Sequence, residues 1–174
     1  MVAVSHKIGL GAVSLIENSK VATSANLRDN DVRVAVTEGE IGWEYLRDNY
    51  PTKYKSVEAL VSKSHDITDT MGAVLQKRAD VAIADSISCY RFLKEHDPEG
   101  LKLHNPFLNE PLGAFDCGFM VPKREKVFAA WLESELLEIR FDESFLESEA
   151  KDLRGWSNLV YRQAPEGVKL PKLG

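Results

Sequence analysis

Two short polar stretches carry the residue types that could grip a small charged molecule. The first is Thr37-Glu38-Gly39-Glu40-Ile41, which follows the apolar run Val32-Arg33-Val34-Ala35-Val36. The second is Asp85, which closes the run Asp80-Val81-Ala82-Ile83-Ala84-Asp85. Both runs are nearly continuous in apolar residues, as strands covered on two faces are. In open α/β sheets ligands bind beyond the carboxyl ends of the strands, and both polar features fall there. The first stretch leads into a helix, whose free N–H groups carry roughly half a positive charge and attract anions. Asp85 offers a carboxylate. A cation about 4 Å from it gains on the order of 1 to 4 kcal/mol, according to solvent exposure. A zwitterion such as an amino acid could use both features. The same residues also have a purely structural reading. Thr37 with Glu40 three residues on fits a capping box, and Asp85 fits the cap of a helix starting near Ser86.

Other chemistry finds little support. The chain holds no G-x-S-x-G, H-E-x-x-H, C-x-x-C or P-loop motif. No residue is assigned a catalytic or metal-binding role, and no cofactor is expected. His6, His65, His96 and His104 are scattered. His96 beside Asp97 and His104 beside Asn105 read as solvated loop residues. Trp43 follows Glu40 by three residues and reads as core packing, with a pocket wall as the alternative. Cys89 and Cys117 are the only cysteines. They make neither a disulfide framework nor a metal site, and read as two buried thiols or a single disulfide.

Composition sets the frame. The chain has 174 residues, 44% hydrophobic and 28% charged, with a net charge of −5. That suits one soluble α/β domain with appendages. No basic block is present, which argues against a nucleic-acid surface as the main role. No apolar stretch approaches 18 residues, so no membrane insertion is expected. The N-terminus lacks a basic leader and a small-residue cleavage site, so it does not read as a signal peptide.

The elements that must position the two stretches follow from patterning. Residues 8–16 read as a strand and residues 21–30 as a polar turn region. A helix enters at residue 40 and stops at residue 49, because Pro51 lies ahead. Residues 57–62 read as a short strand. Residues 65–77 read as a helix with Ile67, Met71, Val74 and Leu75 on one face. A further helix spans residues 86–95, and Asp97-Pro98-Glu99-Gly100 is a turn. Residues 101–103 and 117–121 read as strands. Residues 123–140 are the clearest helix, with Phe128, Leu132 and Leu136 at four-residue spacing beside Trp131 and Ile139. The Glu-rich residues 133–149 read as a solvated face, and the tail from Pro165 as frayed. Strands alternate with helices from residue 32 to residue 85, the pattern of a parallel sheet with crossover helices.

Several of these segments together resemble the type 2 periplasmic, or extracellular, solute-binding proteins of the amino-acid type. Val32 to Val36 with Gly39 and a helix behind it is similar to the start of that family's second lobe, as is Tyr50-Pro51. Arg78-Ala79-Asp80-Val81-Ala82-Ile83-Ala84-Asp85 resembles its best-marked stretch. Gly118-Phe119-Met120-Val121-Pro122-Lys123 looks like the strand that returns to the first lobe, followed by a first-lobe helix at 127–139. The resemblance covers residues 8 to 140. It implies a Venus-flytrap clamp, two lobes closing on a solute, with residues 9–16 and 117–121 as crossover strands. Residues 1–24 would then be a first-lobe remnant and hinge strand, 25–116 the α/β second lobe, and 117–174 the return strand, first-lobe helices and tail. The family's amine-gripping aspartate falls on Asp85, and its helix-start contact on Gly39 to Ile41.

Three departures qualify this. The first lobe is largely missing, and the family's clamping arginine and aromatic residues would lie upstream of Met1. Glu40 stands where Ser or Thr commonly binds a ligand carboxylate, and would repel one. Lys77 replaces the usual Gly before Arg78, so the preceding helix should end without its favoured cap. By this resemblance the chain is a substrate-binding component of an ABC-type uptake system, taking an amino-acid-like or amine-bearing small polar solute. It would work in the periplasm or outside the cell, with a membrane permease as a candidate partner. The alternatives are a truncated ligand-sensing or protein-interaction domain and, behind it, a dehydratase on the same fold. Without the first lobe, residues 127–139 would expose apolar surface, which leads us to expect a homodimer.

Overall fold

The computed structural model describes residues 2–29, 31–54, 59–62, 66–142 and 160–161. The chain divides into two compact units, residues 10–113 and residues 1–9 with 114–174. The first strand, β1 (Val2–Leu15), and the sixth, β6 (Gly113–Met120), both contain the point of division.

In the larger unit the elements follow as β2 (Val34–Thr37), α1 (Ile41–Asn49), α2 (Pro51–Tyr54), β3 (Ala59–Ser62), α3 (Ile67–Leu75), β4 (Val81–Asp85), α4 (Ser86–His96) and β5 (Leu103–His104). A short 3-10 turn over Ser24–Arg28 precedes them. The strands lie in the order β3-β2-β4-β1-β5. β2 is parallel to both β3 and β4, and β1 runs antiparallel to β4 and β5. Four strands therefore share one direction, the mostly parallel α/β sheet that the alternation of elements predicts. Residues 57, 58 and 65, assigned above to a strand and a helix, lie outside the described residues, as do Asn30 and the tail from Pro165.

The unbroken apolar character of β2 and β4 follows from coverage on both faces. Val34 and Val36 join Val81 and Ile83 in one cluster with Leu10, Leu27 and Leu46 of α1. Ala35 joins Ala82 and Ala84 in the other, under Met71 and Val74 of α3 and Phe92 of α4. Successive side chains alternate between the two clusters, as the period of two requires. The second face of these strands is nearly all alanine, and α3 and α4 pack on it.

The two central strands are pinned at their amino ends. The Asp80 carboxylate accepts from the Arg33 backbone N–H at 2.8 Å and from Arg33 Nε at 3.0 Å. Asn18 Nδ2 donates to its Oδ1 at 3.2 Å, and Ser14 Oγ donates to its carbonyl at 2.9 Å. Asp80 is 7% exposed. Burial alone would push its carboxyl up, but the Arg33 hydrogen bonds and charge outweigh it and hold the group below the usual carboxylate range.

The α3 terminus corrects an expectation. Lys77 takes φ +56°, the left-handed position that glycine fills most cheaply. Lys77 N–H donates to the Val74 carbonyl and Arg78 N–H to that of Ala73, both at 2.9 Å. That is a Schellman motif, so the helix has its cap, with lysine forced into the glycine position. Two further corrections concern side chains. Cys89 and Cys117 form no disulfide, and Cys89 is buried whereas Cys117 is only half-buried. His96 is the last residue of α4, not a loop residue, and its ring stacks on Phe92 at 4.1 Å.

In the smaller unit, β6 and β7 (Val160–Tyr161) pair with β1. Lys7 stands opposite Tyr161 and Ile8 opposite Val160 in an antiparallel ladder. The longest helix, α5 (Lys126–Phe141), follows β6. It buries Ala129 and half-buries Leu132 and Leu136, while Phe128 and Trp131 are exposed.

Two predictions follow from these contacts. Asp80 titrates below its unfolded value near 4, so its contribution is full above that value and is lost as pH falls through the folded pKa. Asp80→Asn should lower stability at neutral pH by roughly 1–3 kcal/mol, and the difference from wild type should shrink on acidification in denaturant melts. Lys77→Gly should raise stability by about 0.5–1 kcal/mol by relieving the left-handed lysine. The Lys77–Glu17 pair it removes is about 70% exposed on both sides and is worth little.

Candidate functional site

All six residues proposed for ligand contact lie in the larger unit, at the carboxyl edge of its sheet. Val34 pairs with Val81 and Ala35 with Ala82. Both strands run on in the same direction from there, β2 to Thr37 and β4 to Asp85, so Glu38 and Asp85 leave the sheet at the same edge. The turn from Glu38 to Glu40 and the end of β4 therefore share one rim.

Each residue arrives there for a local reason. Thr37 ends β2, 2% exposed, and its hydroxyl meets that of Thr70 of α3 at 2.7 Å. Thr37 is therefore not the helix cap, and the expected capping box with Glu40 does not form. The buried hydroxyl pair instead holds the end of β2 against α3. Gly39 turns the chain with φ +82°, a conformation side chains strain to adopt. Glu40 occupies the N-cap of α1 but makes no side-chain cap bond. Glu38, Gly39 and Glu40 are exposed, and Ile41 is half-buried. Trp43 and Glu44 N–H groups reach the Glu40 carbonyl at 3.0 and 3.1 Å. Those of Ile41 and Gly42 find no acceptor among the described residues, leaving two donors open at the helix start.

Asp85 is half-buried and is the N-cap of α4, with Oδ1 accepting from Ser88 N–H at 2.8 Å. The capping role read from the sequence is thus real, and it engages one oxygen. Oδ2 accepts no hydrogen bond among the described residues. The rim offers two open amides, one uncommitted carboxylate oxygen and two exposed glutamates.

Sequence reasoning missed the residue that brings α1 to this place. A Cβ on Gly42 would run into the Ile83 carbonyl oxygen, so only glycine lets α1 seat its first turn on β4. A glycine at the second position of a helix was the available signal. It also missed Asn105, whose Oδ1 accepts from Ala12 N–H at 3.1 Å and Phe107 N–H at 2.9 Å, tying β1 to the segment after β5. Trp43 packs against the first core cluster with the Arg47 guanidinium 4.9 Å from its ring centre, as its core reading expected. His104 is a strand residue, not a solvated loop residue. Its Nε2 is buried with no partner among the described residues, and burial lowers its pKa. Among the described residues no group of His, Cys, Asp or Glu is arranged to hold a metal, and no helix is long and apolar enough to cross a membrane. A hollow of about 520 Å³ opens between α3 and α4, lined in part by Thr68, Gly72, Gln76 and His96. It shares no residue with the rim.

Solved structures place this architecture. The solute receptor for L-cysteine of Neisseria gonorrhoeae superposes with a TM-score of 0.70 at 19% identity, covering 94% of this chain and 63% of that one. A histidine kinase sensor domain with similarity to periplasmic binding proteins gives 0.68 at 15% identity, covering 92% and 63%. An ancestral amino acid-binding protein, a precursor of cyclohexadienyl dehydratase, gives 0.63 at 17% identity, covering 85% and 58%. The chain has a periplasmic-binding-protein fold. It spans about six tenths of the length of these binding-protein structures. No family model matches the sequence, and no curated protein matches it.

Glu40 gives this site a direct test. Serine at an N-cap accepts from the amides that glutamate leaves open. Glu40→Ser should raise thermal stability by about 0.5–1 kcal/mol, read as an upward shift in Tm.

Proposed function

We propose that this chain is a solute-binding module for an amino-acid-like or amine-bearing small molecule. The observation that carries the reading is the shared rim. The parallel β2–β4 pairing supports it, because the start of α1 and Asp85 both follow the carboxyl ends of those two strands. An ammonium group would sit on Asp85. Glu38 and Glu40 add negative charge at the same level and disfavour a free carboxylate at the helix start. The preferred ligand is therefore richer in amine than in carboxylate. Likeness to a cysteine receptor and to an amino acid-binding ancestor supports a small polar solute.

In this reading the larger unit is the second lobe, and β1 and β6 are the crossover strands toward first-lobe material. The module serves an ABC-type uptake system in the periplasm or outside the cell, with a membrane permease and a second copy of the chain as protein partners. A second reading, a ligand-sensing domain, draws on the likeness to the histidine kinase sensor domain. It uses the same rim and differs in the partner that reads the bound state. A dehydratase would need a buried general acid. Glu38 and Glu40 are exposed, and Asp85 serves as a helix cap.

Isothermal titration with a panel of amino acids and polyamines tests the proposal. We expect an amine-bearing member to bind, and Asp85→Asn to weaken it at least about tenfold, near 1.4 kcal/mol. Asparagine caps helices as well as aspartate, so the loss would report the charge. No heat across the panel, or unchanged binding in Asp85→Asn, would sink the reading.

A further inference from the structure

We infer that the solute site extends to Ser86 and Asn105, and that this pair reads a neutral acceptor oxygen carried next to the ammonium that Asp85 holds. The solute class is then an amide of the amino-acid type, rather than a plain amine or diamine. This rests on the solute reading above, and its test separates the two.

A missing side chain makes the room. In the antiparallel ladder of β1 with β4, Leu10 stands opposite Asp85 and Gly11 opposite Ala84. Gly11 therefore lies at the edge of the sheet where β4 ends. A Cβ on Gly11 would come 2.6 Å from Asn105 Nδ2 and 3.0 Å from Ser86 Oγ, so both polar atoms gather over one backbone position. Positions 11 and 13 share a face of the strand, and Val13 belongs to the cluster under α3 and α4. The pair thus sits on the α4 side of the rim, where Ser86 is the first residue of that helix. Ser86 follows Asp85 directly, with their Cα atoms about 3.8 Å apart.

Neither polar group is spent on the fold. The two bonds that Asn105 Oδ1 accepts, from Ala12 N–H and Phe107 N–H, hold the planar amide and fix where Nδ2 points. Nδ2 itself donates to nothing among the described residues. Ser86 is 1% exposed, and its hydroxyl makes no hydrogen bond among the described residues. It has no capping duty either, since Asp85 Oδ1 already caps α4. A polar group buried without a partner costs free energy, and folded chains seldom leave it uncompensated. Ser86 forms the closed end of the recess and half-buried Asn105 its open side. Nδ2 can only donate, and the serine hydroxyl can donate beside it, so the recess suits an acceptor oxygen. A carboxylate would accept there too, but Asp85, Glu38 and Glu40 lie on the same rim and oppose a further negative charge. A carboxamide or ester carbonyl accepts without that repulsion.

Isothermal titration of the full chain with L-lysinamide and with cadaverine, the same diamine without the carboxamide, tests this. Wild type should prefer lysinamide at least about tenfold. Ser86→Ala and Asn105→Asp should each lower that preference by about threefold or more. Asn105→Asp keeps an oxygen for Ala12 and Phe107 and removes the Nδ2 donor, and its added charge acts on both probes alike. Ser86→Ala should melt no lower than wild type, because its hydroxyl has no bond within the fold to lose. Equal affinity for the two probes, a preference unchanged in either variant, or a lower melting temperature in Ser86→Ala would overturn the inference. In each case binding that still depends on Asp85 would leave the solute reading standing. Failure of both probes to bind overturns the inference as well, and the wider panel of amino acids and polyamines then decides the solute reading.

Discussion

Asp80 accepts hydrogen bonds from the start of β2, from the loop after β1 and from the Arg33 side chain. The parallel pairing of β2 with β4 has few residues to define it, since β2 is only four long. A slip of one residue would send every side chain to the opposite face. Apolar alternation resists that slip, and the ionic clamp at the amino end resists it again with direction. With the register fixed there, the far ends of the strands fall level. The candidate rim thus depends on a contact at the other edge of the sheet.

The rim is built from backbone more than from side chains. Gly39 opens the turn, Gly42 lets α1 close on Ile83, and the Thr37–Thr70 hydroxyl pair anchors the end of β2. What is left exposed is a helix start with two open amides and the side chains of Glu38 and Glu40. Attraction for an anion at the amides and repulsion from Glu38 and Glu40 act at one place.

The two surface features described above lie in different compact units. The rim belongs to residues 10–113, whereas the exposed rings of Phe128 and Trp131 belong to residues 114–174.

Sequence alone determined the main strands and helices from residue 32 to residue 96 and that β2 and β4 are covered on both faces, whereas α2, β7 and the placing of β5 at Leu103–His104 rather than at residues 101–103 were decided by the fold. Periodicity and β-branched runs are local properties, and they survive packing unchanged. Asp85 was legible as well, because a carboxylate at a strand end before a helix has few roles. Thr37 was misread because its spacing to Glu40 satisfies a local cap rule, while its hydroxyl is engaged by Thr70, thirty-three residues away. Lys77 was misread in the opposite sense. Its side chain disfavours the left-handed turn, but the helix carbonyls and the strand beyond require it. Arg33 with Asp80, Gly42 with Ile83 and the reach of Asn105 to β1 were decided only in three dimensions. Each joins residues far apart in the chain, where neither partner's neighbours carry any trace of the other.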